Sequence, residues 1–252
     1  MPEDIYLYLL AAFGSLLAGF INTLAGSGSV ITLSILMYVV GLPAKIASAT
    51  IRFSILAMLG FTLPHYQRAG KINWKRDWLM VASTAVGGLL GIFLLIYVDN
   101  AVFKDSMKYI FLALLFVVLF DSKRWLKETD PRALSPWLVV PLFFLVGLYG
   151  GFIQMGVGLL FLVVTVLGAG YNIIDAGGVK LAAVASYTIF AVLLFAYSGL
   201  IRWDFALAMS VGEIMGGQLG AHFAVKHPKA GLWAHRLLIV LLISVVVRAF
   251  FF

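Results

Sequence analysis

The sequence predicts an all-α integral membrane protein, an inverted-repeat helical bundle of about five plus five segments with one broken helix or hairpin per half. Three observations carry this fold class. Hydrophobic residues make up 63% of the 252 residues and charged ones only 12%, with a mean hydropathy of +1.05. A soluble domain carries about 25% charged residues, so the apolar excess here needs lipid. The apolar residues also fall into helix-length runs rather than alternating strands, which excludes a barrel. Finally, short blocks of the first half recur in the second.

Apolar segments lie at 5–21, 29–41, 46–64, 78–98, 107–121, 137–153, 159–168, 180–197, 204–225 and 236–252. About 20 residues cross a bilayer core about 30 Å thick. Two segments fall short of that, since at 1.5 Å per residue 29–41 reaches about 20 Å and 159–168 about 15 Å. The first segment follows "MPED", where Glu3 and Asp4 stand in place of the basic region of a secretory signal, so no cleaved leader is expected. It runs into "GFINTLAGSGSVI" (Gly19–Ile31), a polar, glycine-rich interruption, and 29–41 returns from it. In the second half 137–153 breaks at "QMGVG" (Gln154–Gly158), and 159–168 returns from the opposite face.

The halves align in three blocks. "GKINW" matches "GLIRW" at an offset of 129 (74 to 203), and "GGLLG" (Gly87–Gly91) matches "GGQLG" (Gly216–Gly220) at the same offset. "GFIN" matches "GFIQ" at 132 (19 to 151). The units are 1–121, a hydrophilic cytoplasmic linker at 122–136, and 137–252. An odd number of segments per half inverts the second copy. Loop charges agree: 65–77 carries Arg68, Lys71, Lys75 and Arg76, the linker carries Lys123, Arg124, Lys127 and Arg132, and 226–235 carries Lys226 and Lys229. The outer stretches hold only Lys45, Lys104, Lys108, Arg202 and Arg248. This positive-inside pattern puts the N-terminus outside. It also accounts for the net charge of +7 without a nucleic-acid partner. With no cysteine, disulfides and thiolate metal sites are excluded.

Broken backbone inside a bilayer is tolerated only where protein buries it or a cavity wets it. Two hairpins entering from opposite faces bring their tips together near the midplane. The return helices aim their N-termini there, an arrangement that favours an anion, although the C-termini of the entering helices lie nearby too. The candidate lining is Asn22, Thr23, Gly26, Ser27 and Gly28 from one tip, with Gln154, Gly156 and Gly158 from the other. Intramembrane charge is functional by default. Arg52 in "ATIR" and Lys180 in "GGVK" enter the core at matching places and would contact the ligand; the alternative is snorkelling to the nearer interface. Glu213 in "SVGEIMGG", matched by Thr84, is the one deep acid, either a counter-ion or a proton-coupling group. Gly87, Gly88, Gly91 and their repeats read as close helix packing, and His222 as interfacial. No metal or cofactor is called for.

The stretch "GFINTLAGSGSVITLSILMYVVGLPAKIASATIR" (Gly19–Arg52) resembles the opening signature of the TauE/SafE family of sulfite and organosulfonate exporters. That signature runs from a GfiNtlaGgGg loop through a GlpphvAnATnr stretch. "GSGS" stands here where a glycine run is usual, and "SATIR" where Asn-Ala-Thr is usual. The resemblance implies export of sulfite, sulfoacetate or a related sulfur oxyanion across a bacterial plasma membrane. An anion-selective or aquaporin-like channel shares this anatomy and is the alternative. An enzyme is not expected. Ser27 and His222 are the only echo of a serine intramembrane protease, and paired-Asp or His-Glu-x-x-His motifs are absent.

Overall fold

A computed structural model describes residues 2–103, 135–171 and 173–227, with single positions between 105 and 116 and between 236 and 247. The expected segments 107–121 and 236–252, and residues 122–134 of the linker, lie outside the described residues except at those positions.

Eight helices follow one another among the described residues, with no strands. They are α1 (Pro2–Ala25), α2 (Ser29–Ser34), α3 (Ala44–Arg68), α4 (Trp74–Tyr97), α5 (Pro136–Phe152), α6 (Val157–Leu162), α7 (Ile173–Tyr197) and α8 (Trp203–Lys226). The two short helices each widen into a π-helical turn, Ile35–Val39 after α2 and Val163–Gly168 after α6. Ile5–Leu24, α3, α4 and Ile174–Tyr197 are long and apolar enough to cross a membrane. Ser29–Val39, α5 and Val157–Val166 are shorter apolar helices.

Several helices begin earlier than their apolar runs because polar first turns are capped. Asn73 accepts a hydrogen bond from the Arg76 amide at 3.4 Å, while Asp77 accepts from the Asn73 amide at 2.9 Å. This reciprocal cap starts α4 at Trp74 rather than at residue 78. Asp77 is fully buried and also receives Arg76 Nε and the Tyr171 hydroxyl, each at 2.7 Å. Burial, and then the bond to Asp77, hold the Tyr171 phenol above its ordinary pKa, so it stays a donor.

These contacts define two ends. At the basic end, Lys71 pairs with Asp175 at 3.6 Å and Tyr171 reaches Asp77, joining the α3–α4 loop to the segment before α7. At the opposite end, Lys45 Nζ donates to the carbonyls of Ile96 and Val98 at 2.8 and 2.7 Å. There too the Arg202 amide donates to Thr50 Oγ1 at 3.1 Å, and Tyr8 donates to Asp204 at 2.9 Å. Thus α1 starts at the opposite end and α2 leads back to it through Pro43. By contrast α5 runs parallel to α4 from the basic end, and the turn after α6 delivers Tyr171 back there.

Glycine seams set the packing. On α4, a Cβ at Gly87 or Gly91 would lie 2.0 or 2.2 Å from the carbonyl oxygen of Phe144 or Leu148 on α5. On α8, a Cβ at Gly212 or Gly216 would lie 2.0 Å from the carbonyl oxygen of Ala12 or Leu16 on α1. The helices approach to backbone contact because these positions carry no side chain. Elements recur at 128 or 129 residues: α2 and α6 (29 to 157), their π turns (35 to 163), α3 and α7 (44 to 173), α4 and α8 (74 to 203). The hairpins therefore correspond at 128, not at the 132 that "GFIN" and "GFIQ" give.

Candidate functional site

Both hairpins turn on left-handed backbone. Gly26 (φ +74°) ends α1, and Gln154 (φ +67°) and Gly156 (φ +68°) carry the chain from α5 into α6. Glycine adopts this conformation freely, whereas Gln154 holds it at a cost of about 1–3 kcal/mol. The two turns touch. A Cβ on Gly26 would lie 2.4 Å from the carbonyl carbon of Gly158, and Ser29 Oγ donates to the Gln154 carbonyl at 3.4 Å.

The last carbonyls of a helix have no intrahelical partner and form the negative end of its dipole. Here each broken helix is capped by a cation from elsewhere. Lys180 on α7 donates to the carbonyls of Asn22 (2.7 Å) and Thr23 (3.3 Å) at the end of α1. Arg52 on α3 donates through Nη2 to the carbonyls of Gly150 (3.3 Å) and Gly151 (2.5 Å) at the end of α5, and through Nη1 to Gln154 Oε1 at 3.1 Å. Arg52 and Lys180 are 0% and 1% exposed, which removes the snorkelling alternative for both. Capping is a role that the sequence reading did not assign. The signal was present, since the two cations stand 128 residues apart, as do the carbonyls they cap.

Between the tips lies a cavity of about 10 Å³, lined by Asn22, Ser29, Gln154, Gly158 and Lys180 and by the apolar side chains of Ile55, Met58, Leu59, Val157, Leu181 and Val184. That is room for about one water. Lys180 carries three N–H donors and spends two carbonyl bonds on α1, so the third is available to an occupant. The Tyr187 hydroxyl donates to Gln154 Oε1 at 3.2 Å, and Tyr149 donates to the Met155 carbonyl at 2.6 Å. Neither tyrosine figured in the sequence reading, nor did Met58, which lies 129 residues before Tyr187.

Of the expected site residues, the structure brings Asn22, Gln154, Gly158 and Lys180 to the cavity, with Gly26 against Gly158. Others stand apart. Thr23 Oγ1 is bonded to the carbonyls of Gly19 (3.0 Å) and Gly217 (3.4 Å). Gly28 permits close packing, because a Cβ there would lie 1.8 Å from the Ala18 oxygen. Gly156 forms the second turn, and Arg52 sits behind Gln154 with its Nε unpartnered. The Ser27 hydroxyl is buried without a partner. Glu213 is fully buried on α8; neither carboxyl oxygen has a hydrogen-bond partner, and it pairs with neither cation among the described residues.

Comparison with known proteins matches the same length of chain. The sequence profile of the family described as Sulfite exporter TauE/SafE covers residues 11–249. The chain is 26% identical over 250 residues to "Probable membrane transporter protein ORF9" of a Sinorhizobium species, covering 98% of this chain and 94% of that one. It is 26% identical over 214 residues to a "Probable membrane transporter protein" of Haemophilus influenzae, covering 84% and 83%. To "Probable membrane transporter protein YfcA" of Escherichia coli K12 it is 25% identical over 213 residues, covering 84% and 79%. No solved structure gives a significant match.

Proposed function

The chain belongs to the TauE/SafE family and is a multi-pass membrane transporter of the bacterial inner membrane; on that premise we propose that it exports a small sulfur oxyanion through the cavity between the two hairpin tips. The observation that carries this reading is the meeting of two broken helices around a cavity that holds the Lys180 ammonium. Beside that ammonium stand the Asn22 amide, the Ser29 hydroxyl and the Gln154 side chain, a set suited to an anion's oxygens. The sulfur chemistry comes from the family description alone, since the relatives' names state no substrate.

We read the chain as an inverted repeat of five segments per half. The 128–129 spacing supports this, as do hairpins that start from opposite ends of the bundle. The charges of Arg68, Lys71, Lys75 and Arg76 then assign the basic end to the cytoplasm. A negative interior drives anions outward by about 2.3 kcal/mol per charge per 100 mV, so export needs no second driving force. A sulfonate or sulfite is larger than one water, so the tips must part to admit it. That requirement fits a carrier better than an open pore.

The test is flux from liposomes loaded in turn with sulfite, sulfate, thiosulfate and sulfoacetate. The expected result is saturable, potential-driven efflux of at least one of them, weakened by Lys180→Gln. Flux that never saturates would turn the assignment to a channel. No flux of any of the four would sink the substrate class.

A further inference from the structure

Two grooves open on the flanks of the bundle, and they occupy corresponding places. One, about 470 Å³, lies between α3 and α8 and includes Phe61, Thr62, His65, Gln218 and His222. The other, about 340 Å³, lies between α4 and α7 and includes Leu89, Phe93, Phe190 and Leu194. Each residue of the first has its counterpart 129 positions away: Phe61 with Phe190, His65 with Leu194, Gln218 with Leu89, His222 with Phe93, and Thr62 with Ala191. The second groove is apolar and suits lipid chains. In the first, four of these five positions have become hydrogen-bonding side chains. Packing alone asks for no such difference, because the apolar version serves the companion groove.

Two further observations give the polar groove a purpose. Thr62 is 0% exposed, lines the groove, and its hydroxyl has no partner in the protein. A buried hydroxyl left so needs water or a ligand to complete it. The same face of α3 also continues inward. Thr62 and Met58 both lie against Gly217, where a Cβ would meet them at 3.0 and 2.5 Å, and Met58 is a wall of the central cavity. His65, Thr62 and Met58 thus form one stripe at helical spacing, leading from the groove to the cavity between the tips. On α7 the corresponding stripe is Leu194, Ala191 and Tyr187, and Tyr187 is tied to Gln154.

We infer that the α3–α8 groove is an oxyanion-binding vestibule at the basic end, from which the transported anion passes Met58 into the central cavity. Its donors are the imidazole N–H groups of His65 and His222, the Gln218 amide and the Thr62 hydroxyl, a set that fits a sulfonate, a sulfite or a lipid phosphate. Methionine at the inner wall is unbranched and moves readily aside. The vestibule's link to transport rests on the function proposed above.

The chain has no cysteine, so Gln218→Cys and Leu89→Cys each supply a single reporter in the full-length protein. In nanodiscs of zwitterionic lipid, a sulfonate-bearing methanethiosulfonate should modify Gln218→Cys at least about tenfold faster than Leu89→Cys. Sulfoacetate should slow that reaction saturably. Adding His65→Leu and His222→Phe, the residues of the companion groove, should raise the half-protecting concentration at least about tenfold, as expected for loss of a hydrogen bond to a charged group. If that variant does not fold, His222→Ala alone should move it in the same direction. Lys180→Gln should leave the protection intact; its loss would place the anion in the central cavity and overturn the vestibule. Equal, unprotected reaction of both cysteines would overturn it too. Protection by phosphatidylglycerol but not by sulfoacetate would assign the groove to a lipid headgroup and overturn its link to transport. Saturable sulfite efflux without protection would remove the vestibule alone. Protection without efflux would remove the transport reading and leave the anion site standing.

Discussion

At the scale of single residues, the two buried cations separate cleanly into different predicted phenotypes. Both cap helix carbonyls, so losing either leaves buried acceptors unsatisfied at about 1–3 kcal/mol. Only Lys180 also lines the cavity. Arg52→Gln is therefore expected to lower the melting temperature while anion affinity stays within about threefold, and Lys180→Gln to lower both. Equal affinity losses in the two variants, with unchanged melting, would contradict this division. Glu213 poses a separate question, since a carboxyl this deep and without partners is costly to leave ionised. Glu213→Gln is expected to erase the pH dependence of efflux while leaving potential-driven efflux in place, measured in liposomes with pH and potential clamped. A parental pH profile in that variant removes Glu213 from coupling. The sequence displays these three charges as deep and, for the cations, as matched. It does not display their partners, because a cap depends on which carbonyls the fold orphans. Matching "GFIN" to "GFIQ" sets Gln154 opposite Asn22, whereas the element spacing sets it opposite Gly26, both left-handed. Identity of letters outweighed backbone conformation, which letters report only through glycine.

At the scale of elements, the glycine seams make a sharp contrast. Gly91 on α4 has the Leu148 oxygen where its Cβ would be, whereas Gly60 on α3 has nothing within 4 Å. Gly91→Leu must push α4 off α5 and is expected to cost about 1–3 kcal/mol or more, or to prevent folding. Gly60→Ala is expected to stabilise by up to about 1 kcal/mol, the helix-propensity gain. Thermal unfolding in detergent measures both, and equal behaviour of the two would contradict the packing described. The seams were legible as "GGLLG" and "GGQLG", and the hairpins as two segments too short to cross. The π-helical ends of α2 and α6 were not legible, since nothing in "ILMYV" or "VVTVLG" distinguishes i→i+5 from i→i+4 bonding.

For the whole molecule, the contacts divide the surface into two ends, and orientation is the property to measure. Lys75→Cys should label only from the cytoplasm and Ser198→Cys only from outside; the reverse, or labelling of both from one side, would contradict the assigned topology. Hydropathy gave the helices to within a few residues because lipid enforces long apolar runs, and loop charge gave the orientation expected. What it could not give was which element completes which. Arg52 closes α5, and Lys180 closes α1, so neither broken helix is finished by its own neighbourhood. This crossing has a consequence for biosynthesis. When the first hairpin leaves the ribosome, the carbonyls of Asn22 and Thr23 have no ammonium to receive, and Lys180 is more than 150 residues from being made. At roughly 5–20 residues per second that wait is on the order of ten seconds. A nascent chain arrested before Lys180 should thus carry an open hairpin, exposed to membrane proteases or insertion chaperones. One arrested after α7 has inserted should be protected, and pulse-chase of the two arrested lengths will show whether the first hairpin waits for its lysine.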